Sequence, residues 1–322
     1  MFTIAIPAYK SLFLYDAIQS CLSQTFKDFE VVIVNDASPE DIDSVVDSFD
    51  DDRIKYFKNE KNNGAINVVD TWNQCLSYAS GKYVICMGDD DMLLPNCLQD
   101  YYYMIEQYPS VDVLHTRTEI IDESNNVIAV QEERPLWESA LSMLKERWDR
   151  RWRQFIGDFC FKTSSLKALG GFYKLPLAWS SDDISVFRAA LTDGIVNVQT
   201  FGFQYRDNPQ TISNSSSQRL KATANILAKD WFLQLFESLH KSGKYDNRTL
   251  CLLETQAVSF HHTRVLKLML FDLGKSIFNI CWWLANKQVV ELSYSEILKG
   301  GFYCIKSSTK HIILHCKSIK NR

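Results

Sequence analysis

Two apolar, β-branched runs that both stop on acid constrain this chain most. Val31-Val32-Ile33-Val34 runs into Asn35-Asp36, and Tyr83-Val84-Ile85-Cys86-Met87 runs into Gly88-Asp89-Asp90-Asp91. Near-continuous apolar runs of this kind read as strands buried on both faces, as in a parallel sheet covered by helices. Phe2–Pro7 is a third such run. Leu12–Gln24, Pro39–Phe49 and Ala65–Ser80 carry helical spacing or capping residues, and Arg53–Lys58 alternates like a shorter strand. Strand and helix thus alternate, which predicts an α/β fold with a Rossmann-like, mostly parallel sheet flanked by helices. Ligands of open α/β sheets bind beyond the carboxyl ends of the strands, where Asp36 and the acidic triplet stand. Carboxylates gathered there suit Mg2+ or Mn2+ held together with substrate phosphates.

Further along, Val111–Arg117 reads as a strand and Glu119–Val130 as a hairpin around Asn125-Asn126. Leu136–Arg153 reads as one aromatic, basic helix, Phe155–Lys162 and Val196–Tyr205 as strands, and Ile184–Leu191 as a helix. Asn208–Ser217 is rich in Ser, Asn, Thr and Pro and marks a boundary. Beyond it the pattern turns helical, with expected breaks at Gly243, Gly274 and Gly300. We therefore expect a domain over 1–215 and a helical C-terminal region over 216–322.

Charge excludes one class of partner. The net charge of −4 argues against a general nucleic-acid binder, which would be basic. The average hides an asymmetry: from Arg264 onward ten Lys or Arg face three Asp or Glu, a local +7. The nine cysteines are odd in number, widely spaced and form no C-x-x-C, so neither a zinc ribbon nor thioredoxin chemistry is indicated. No basic leader precedes the first strand, and Leu268–Ala285, the most apolar stretch, is interrupted by Asp272 and Lys275. The expectation is a cytoplasmic protein.

The order of the motifs resembles family 2 glycosyltransferases of the GT-A fold. The matching stretches are Ile4-Ala5-Ile6-Pro7-Ala8-Tyr9, Val32-Ile33-Val34-Asn35-Asp36-Ala37-Ser38, Asn62-Asn63-Gly64, Gly81-Lys82-Tyr83-Val84 leading to Gly88–Pro95, and Ser181-Asp182-Asp183. Each is weak alone; their order and spacing are specific, and they cover about residues 1–215. The resemblance implies an inverting transfer from a nucleotide-diphosphate sugar, with a UDP-sugar favoured, to a glycan hydroxyl. It implies a bacterial surface glycan on a lipid carrier as the acceptor.

By the same resemblance Asp36 accepts hydrogen bonds from the base, Pro7, Tyr9, Asn63 and Gly64 line the nucleotide, and Asp89 lies near the ribose. Asp90 and Asp91 are the expected ligands of Mn2+ or Mg2+. The family's D-x-D-D places an acid where this chain has Gly88, so the ligand assignment is open by one residue. Asp183 is the expected general base, although Asp182 stands where the family has Glu. Arg206 is expected on a phosphate. Where relatives carry a histidine after that arginine, this chain has Asn208, and either Asn208 or Asp207 stands in or the metal keeps a water.

Each of these residues also has a plainer reading. Asp36 suits a strand-end turn, Asp182-Asp183 suit the first turn of a helix, Arg206 suits a surface ion pair, and the Trp148–Arg153 cluster suits a packed amphipathic helix. His261-His262 are adjacent rather than four apart, so they read as structural. A nucleotidyltransferase would share the acids but usually carries a Gly-rich phosphate loop, which Ile6-Pro7-Ala8-Tyr9-Lys10 lacks. A catalytically silent, scaffold-like relative is the third reading. Finally, the basic tail, with Ile277–Leu284 and its Trp282-Trp283 pair flanked by Lys275 and Lys287, is expected to dock on the anionic inner face of the cytoplasmic membrane.

Overall fold

The computed structural model describes residues 1–212 and 216–306. It divides into two compact units, Met1–Ser215 and one from Ser216 onward.

The first unit is built on a ten-stranded sheet. Its first four strands are β1 (Phe2–Ala8), β2 (Phe29–Asn35), β3 (Ile54–Lys58) and β4 (Tyr83–Cys86). They pair in parallel in the order β3-β2-β1-β4, with Ala8 opposite Asn35 and Ala5 opposite Cys86. The apolar runs explain this: Val31 to Val34 and Tyr83 to Cys86 are buried without a break, because helices cover both faces. Phe2, Ile4, Ile6 and Ala8 point to one face, where α1 (Leu14–Leu22) lays Leu14, Ile18 and Cys21. On β1 and β2 also lies α3 (Val68–Tyr78), which buries Val69, Trp72, Cys75 and Leu76.

Beyond β4 the sheet turns mixed. Next to β4, antiparallel, runs β9 (Phe159–Lys162), then β6 (Val113–Ile121) and β10 (Ile195–Arg206), with the short β5 (Met92–Leu93) outermost. The hairpin strand β7 (Val127–Val130) pairs with β6, and β8 (Trp137–Glu138) pairs with β10. Because β9 runs against β4, with Ile85 opposite Cys160 and Tyr83 opposite Lys162, the residues entering β9 lie beyond the carboxyl end of β4. Gln154 to Asp158 are thereby brought to the edge that carries the acidic triplet.

Local readings differ in places. Leu136–Arg153 is not one helix: β8 comes first, then α5 (Ala140–Trp148), capped by Ser139, whose Oγ accepts from Ser142 N at 3.1 Å. Arg150, at φ 62°, then turns the chain out, so Trp152 and Arg153 lie outside the helix. The second helix, α2 (Ile42–Asp47), starts later than Pro39 because Asp41 takes the cap and Ser38 donates instead to Tyr9 O at 2.5 Å. The expected break at Gly274 falls within a residue of the end of the helix Asn247–Lys275. Gly300 does not break a helix: a Cβ there would stand 2.6 Å from Met269 Cε, so glycine permits close helix packing.

At the opposite end of the sheet from the acids, Glu30 accepts from Thr3 Oγ1 (2.5 Å), Ser80 N and Ser80 Oγ (both 2.7 Å) and pairs with Lys55. Burial pushes its carboxyl up, but the bonds from Lys55, Thr3 and Ser80 outweigh burial and hold it down at about 2. A depressed carboxyl stabilises the fold above its unfolded value of 4.5 and loses that contribution as pH falls toward 2. We expect Glu30→Gln to cost roughly 1–3 kcal/mol at neutral pH. The gap from wild type should close as urea denaturation is repeated from pH 4.5 down toward 2. A gap independent of pH would contradict this role.

The second unit pairs two long helices, Gln218–Ser242 and Asn247–Lys275, joined through Gly243 at φ 65°. Phe232 and Phe236 of the first, and Leu250, Leu253, Ala257 and Val265 of the second, are buried. His261 is buried on Asn225, Nδ1 to Oδ1 2.9 Å, and His262 Nε2 meets Glu296 Oε1 at 2.8 Å. A short helix, Ile280–Ala285, and a further helical stretch over 294–306 complete the described residues. Among these, no helix is long and apolar enough to cross a membrane.

Candidate active site

The parallel register brings the ends of β1, β2 and β4 to one edge, so Tyr9, Asp36 and the acidic turn face a common ledge. Asp36 N donates to Ala8 O and Met87 N to Ala5 O, both at 3.0 Å, which carries the ladder to Asp36 itself and to Met87, just ahead of Gly88.

The three acids of the turn play different parts. Asp91 is only 5% exposed; its Oδ1 accepts from Arg206 N at 3.0 Å and its Oδ2 from Gly88 N at 3.2 Å. Burial, and then the neighbouring Asp90 charge, push its carboxyl well above the ordinary range. Asp91 was expected as a metal ligand; both its oxygens instead hold backbone, so it builds the turn. Asp89 Oδ2 accepts from the main-chain N–H groups of Tyr9 (2.6 Å) and Lys10 (2.7 Å), tying the loop after β1 to the turn. Burial and the Asp90 charge raise its carboxyl to about 7 against those two donors. Asp90 is half-buried, and its Oδ2 accepts from Asn208 Nδ2 at 2.8 Å. Gly88 has a spatial reason: a Cβ there would come within 2.8 Å of Asp90 Oδ1 and 2.9 Å of Asp91 Oδ2.

Arg206 does not lie where the sequence reading put it. It is wholly buried, donating from Nε to Asp90 O (2.8 Å) and from Nη1 to Asp122 O (3.0 Å) and Asn125 Oδ1 (2.6 Å), with its guanidinium 4.2 Å over the Phe13 ring. In this structure Arg206 is a strut beneath the acidic turn: its donors go to two main-chain carbonyls, the Asn125 amide oxygen and Met92 Sδ, where the sequence led us to expect a phosphate.

On the β2 side, Asp36 is 7% exposed and accepts from Asn59 Nδ2 (2.8 Å), Asn63 Nδ2 (3.0 Å) and Asn63 N (3.1 Å). It therefore shapes the 59–64 loop. Gly64, at φ 75° and ψ 161°, adopts a conformation essentially confined to glycine. Tyr9 is 40% exposed at this edge, beside the half-buried Pro7 at the end of β1.

The remaining carboxylates stand at the start of α7 (Ser181–Ala190). Asp183 is 2% exposed; its Oδ1 accepts from Arg147 Nε at 2.8 Å and Gln154 Nε2 at 2.7 Å. Asp182 is half-buried. Burial works against the charge on Arg147, but Asp183 and Asp182 outweigh it and hold the guanidinium above its ordinary range. The approach to α7 is strained: Leu177, Ala178 and Ser180 have φ of 61°, 53° and 70°, values costly for residues other than glycine. Arg147 comes from α5 and Gln154 from the lead into β9. In the sequence only their charge and polarity mark them, because their partner lies 36 and 29 residues away. Behind them, Asp158 accepts from Gln131 Nε2 (2.6 Å), Thr118 Oγ1 (3.1 Å) and Phe155 N (3.2 Å), fixing the entry to β9. Burial, and next the Arg134 charge, lower the nearby His115 to about 4, so it is neutral.

The chain is similar to known proteins in sequence and in fold. The family described as glycosyl transferase family 2 matches residues 3–168, just over half of the chain. A Campylobacter jejuni protein, GalNAc(5)-diNAcBac-PP-undecaprenol beta-1,3-glucosyltransferase, is 38% identical over 99 residues, which are 30% of this chain and 31% of that one. The glycosyltransferase GlyG of Streptococcus pneumoniae is 24% identical over 110 residues, 33% of this chain and 36% of its own. The chain thus spans about a third of the curated relatives it matches. In fold, it is similar to S. aureus TarS 1-349 crystallised with UDP-GlcNAc, with a TM-score of 0.67, 14% identity, and coverage of 96% of this chain and 92% of that one. The α/β architecture with C-terminal helices is therefore GT-A-like, and the chain belongs to glycosyl transferase family 2.

Proposed function

We propose that the protein transfers a sugar from a nucleotide-diphosphate sugar, with UDP as the favoured nucleotide, to a hydroxyl of a glycan acceptor with inversion. The observation that carries this reading is the convergence of Tyr9, Asp36, Asp89 and Asp90 at one sheet edge, with Asp183 held by Gln154 beside it. The nucleotide lies across Pro7, Tyr9, Asn63 and Gly64, and Asp36 holds the loop that faces the base. TarS, the structural neighbour, was crystallised with UDP-GlcNAc, which supports a UDP-sugar as the first donor to try.

The residues at the acidic turn fit a divalent cation. Burial first, and then the charge of the neighbouring Asp90, push the Asp89 carboxyl up to about 7, and a cation beside the pair offsets that repulsion. Asp90, with Asn208 beside it, would hold Mn2+ or Mg2+, both of which favour oxygen ligands. When bound, such an ion neutralises charge on the leaving diphosphate. Asp183 takes the proton from the acceptor hydroxyl as its oxygen bonds to the anomeric carbon, and the bond to the diphosphate oxygen breaks with its electron pair. Arg147 and Gln154 hold one oxygen of Asp183 and so fix its orientation. A nucleotide-sugar thermal-shift panel, with and without Mn2+, tests donor choice. Stabilisation by one UDP-sugar above other nucleotide sugars is expected; no shift with any of them would count against the reading.

The acceptor we favour is a lipid-linked saccharide, as in the name of the Campylobacter relative. Peripheral docking on an anionic membrane would serve it, but not through the tryptophan pair. Trp283 is fully buried, with Nε1 donating to Asp272 Oδ2 at 2.9 Å, and Trp282 lies against Arg219. The most exposed apolar residues of this unit are instead Phe278 (84%), Phe302 (69%) and Tyr303 (64%), near Lys275 and Lys299 in sequence. Lys310, Lys317, Lys320 and Arg322 lie outside the described residues. We expect Phe278→Ser with Phe302→Ser to reduce co-sedimentation with anionic vesicles, and high salt to reduce it further. Equal, negligible binding by both proteins at low salt would end the membrane reading.

A further inference from the structure

The turn joining the two long helices of the second unit gathers three different metal-binding side chains. His240 stands in the last turn of Gln218–Ser242, and Cys251 and Glu254 lie three apart on Asn247–Lys275. One ligand atom from each lies within 4.8 Å of the others, and His240 Nε2 is 3.2 Å from Glu254 Oε1. The other ring nitrogen, Nδ1, lies 2.9 Å from Asn247 Oδ1. Metal-bound histidines are oriented in this way, with the second nitrogen donating to a neighbouring oxygen and the first turned to the ion. The thiol of Cys251 is exposed, whereas Cys21, Cys75, Cys86, Cys97 and Cys160 are buried in the first unit.

We propose that His240, Cys251 and Glu254 form a surface site for a borderline-soft divalent cation, Zn2+ in the first place. Nitrogen, sulfur and carboxylate ligands together suit Zn2+ and not the hard Mg2+ or Mn2+ proposed for the acidic turn. Tetrahedral bonds of about 2.0–2.3 Å put ligand atoms roughly 3.3–3.8 Å apart. A set already within 4.8 Å needs only side-chain rotation to close. Three protein ligands leave the fourth position to water. Binding expels the Cys251 thiol proton to solvent, and the ion clasps the two helices across their turn.

Cobalt titration of the reduced, metal-free full chain tests this, because a cobalt–thiolate bond gives a charge-transfer absorption that oxygen ligands do not. We expect this absorption to saturate at a single equivalent and to be displaced by Zn2+. It should vanish in Cys251→Ser, and affinity should fall in His240→Ala and Glu254→Gln. Asn247→Ala should weaken binding about 10- to 100-fold without removing the absorption, as for partners of a ligating histidine. Asp90→Asn, Cys281→Ser and Cys316→Ser should leave it unchanged, with circular dichroism confirming that every variant is folded. Absence of the absorption in wild type, its survival in Cys251→Ser, or its loss in Cys316→Ser would overturn the proposal.

Discussion

Asp183→Asn should keep nucleotide-sugar affinity and lose turnover by about 10²–10⁴, the range typical of a missing general base. Asparagine keeps an oxygen where Arg147 Nε and Gln154 Nε2 now donate at 2.8 and 2.7 Å, so the local fold should survive. The substitution removes the negative charge that takes up a proton, and leaves Arg147 its half-exposed neighbour Asp182 as a counter-charge. Donor binding by calorimetry and single-turnover kinetics separate the two roles. If affinity collapsed while turnover of bound donor held, Asp183 would be a binding residue. Asp182→Asn is the control, expected to retain most activity. A larger loss there than in Asp183→Asn would transfer the base role to Asp182.

Asp90→Asn is the second large effect. Among the three acids of the turn, Asp91 has both oxygens on backbone donors and Asp89 accepts two main-chain N–H groups through one oxygen, whereas Asp90 is met by a side-chain amide. Asp90 is thus the acid whose change least disturbs the turn. The loss should be roughly 10²–10³ in turnover, comparable to removing one preorganised electrostatic partner of a developing charge, and extra Mn2+ should recover part of it. Full activity at limiting Mn2+ would remove Asp90 from the metal site. Asp91→Asn should instead lower the melting temperature, because it alters the buried acceptor that joins Gly88 N to Arg206 N.

Three of the first four strands were legible because each apolar run is longer than a turn and meets punctuation at Pro7, Asn35-Asp36 or Gly88, and the other, Ile54–Lys58, because it alternates. Parallel pairing then fixed which ends meet, and so put Asp36 and the acidic triplet on one edge. What composition and periodicity do not carry is the direction in which a polar side chain turns. Arg206 ends a strand, as a phosphate-binding arginine would, yet the hairpin carbonyl of Asp122 and the ring of Phe13 draw it inward. Trp283 carries the same lesson in the second unit, since its indole N–H finds Asp272 across a turn. Arg147 was hidden for another reason: Leu136–Arg153 reads as one helix, and the left-handed Arg150 just past its real end is not a glycine, while Gln154 falls between that stretch and the strand expected over Phe155–Lys162.

Transfer from a nucleotide sugar is tested by chromatographic release of UDP from a panel of UDP-sugars by the full chain with Mn2+. At least one donor should yield UDP, a chelator should stop the release, and Asp90→Asn and Asp183→Asn should each lower it by about 10² or more. No release from any UDP-sugar, or equal release by wild type and both variants, would contradict it.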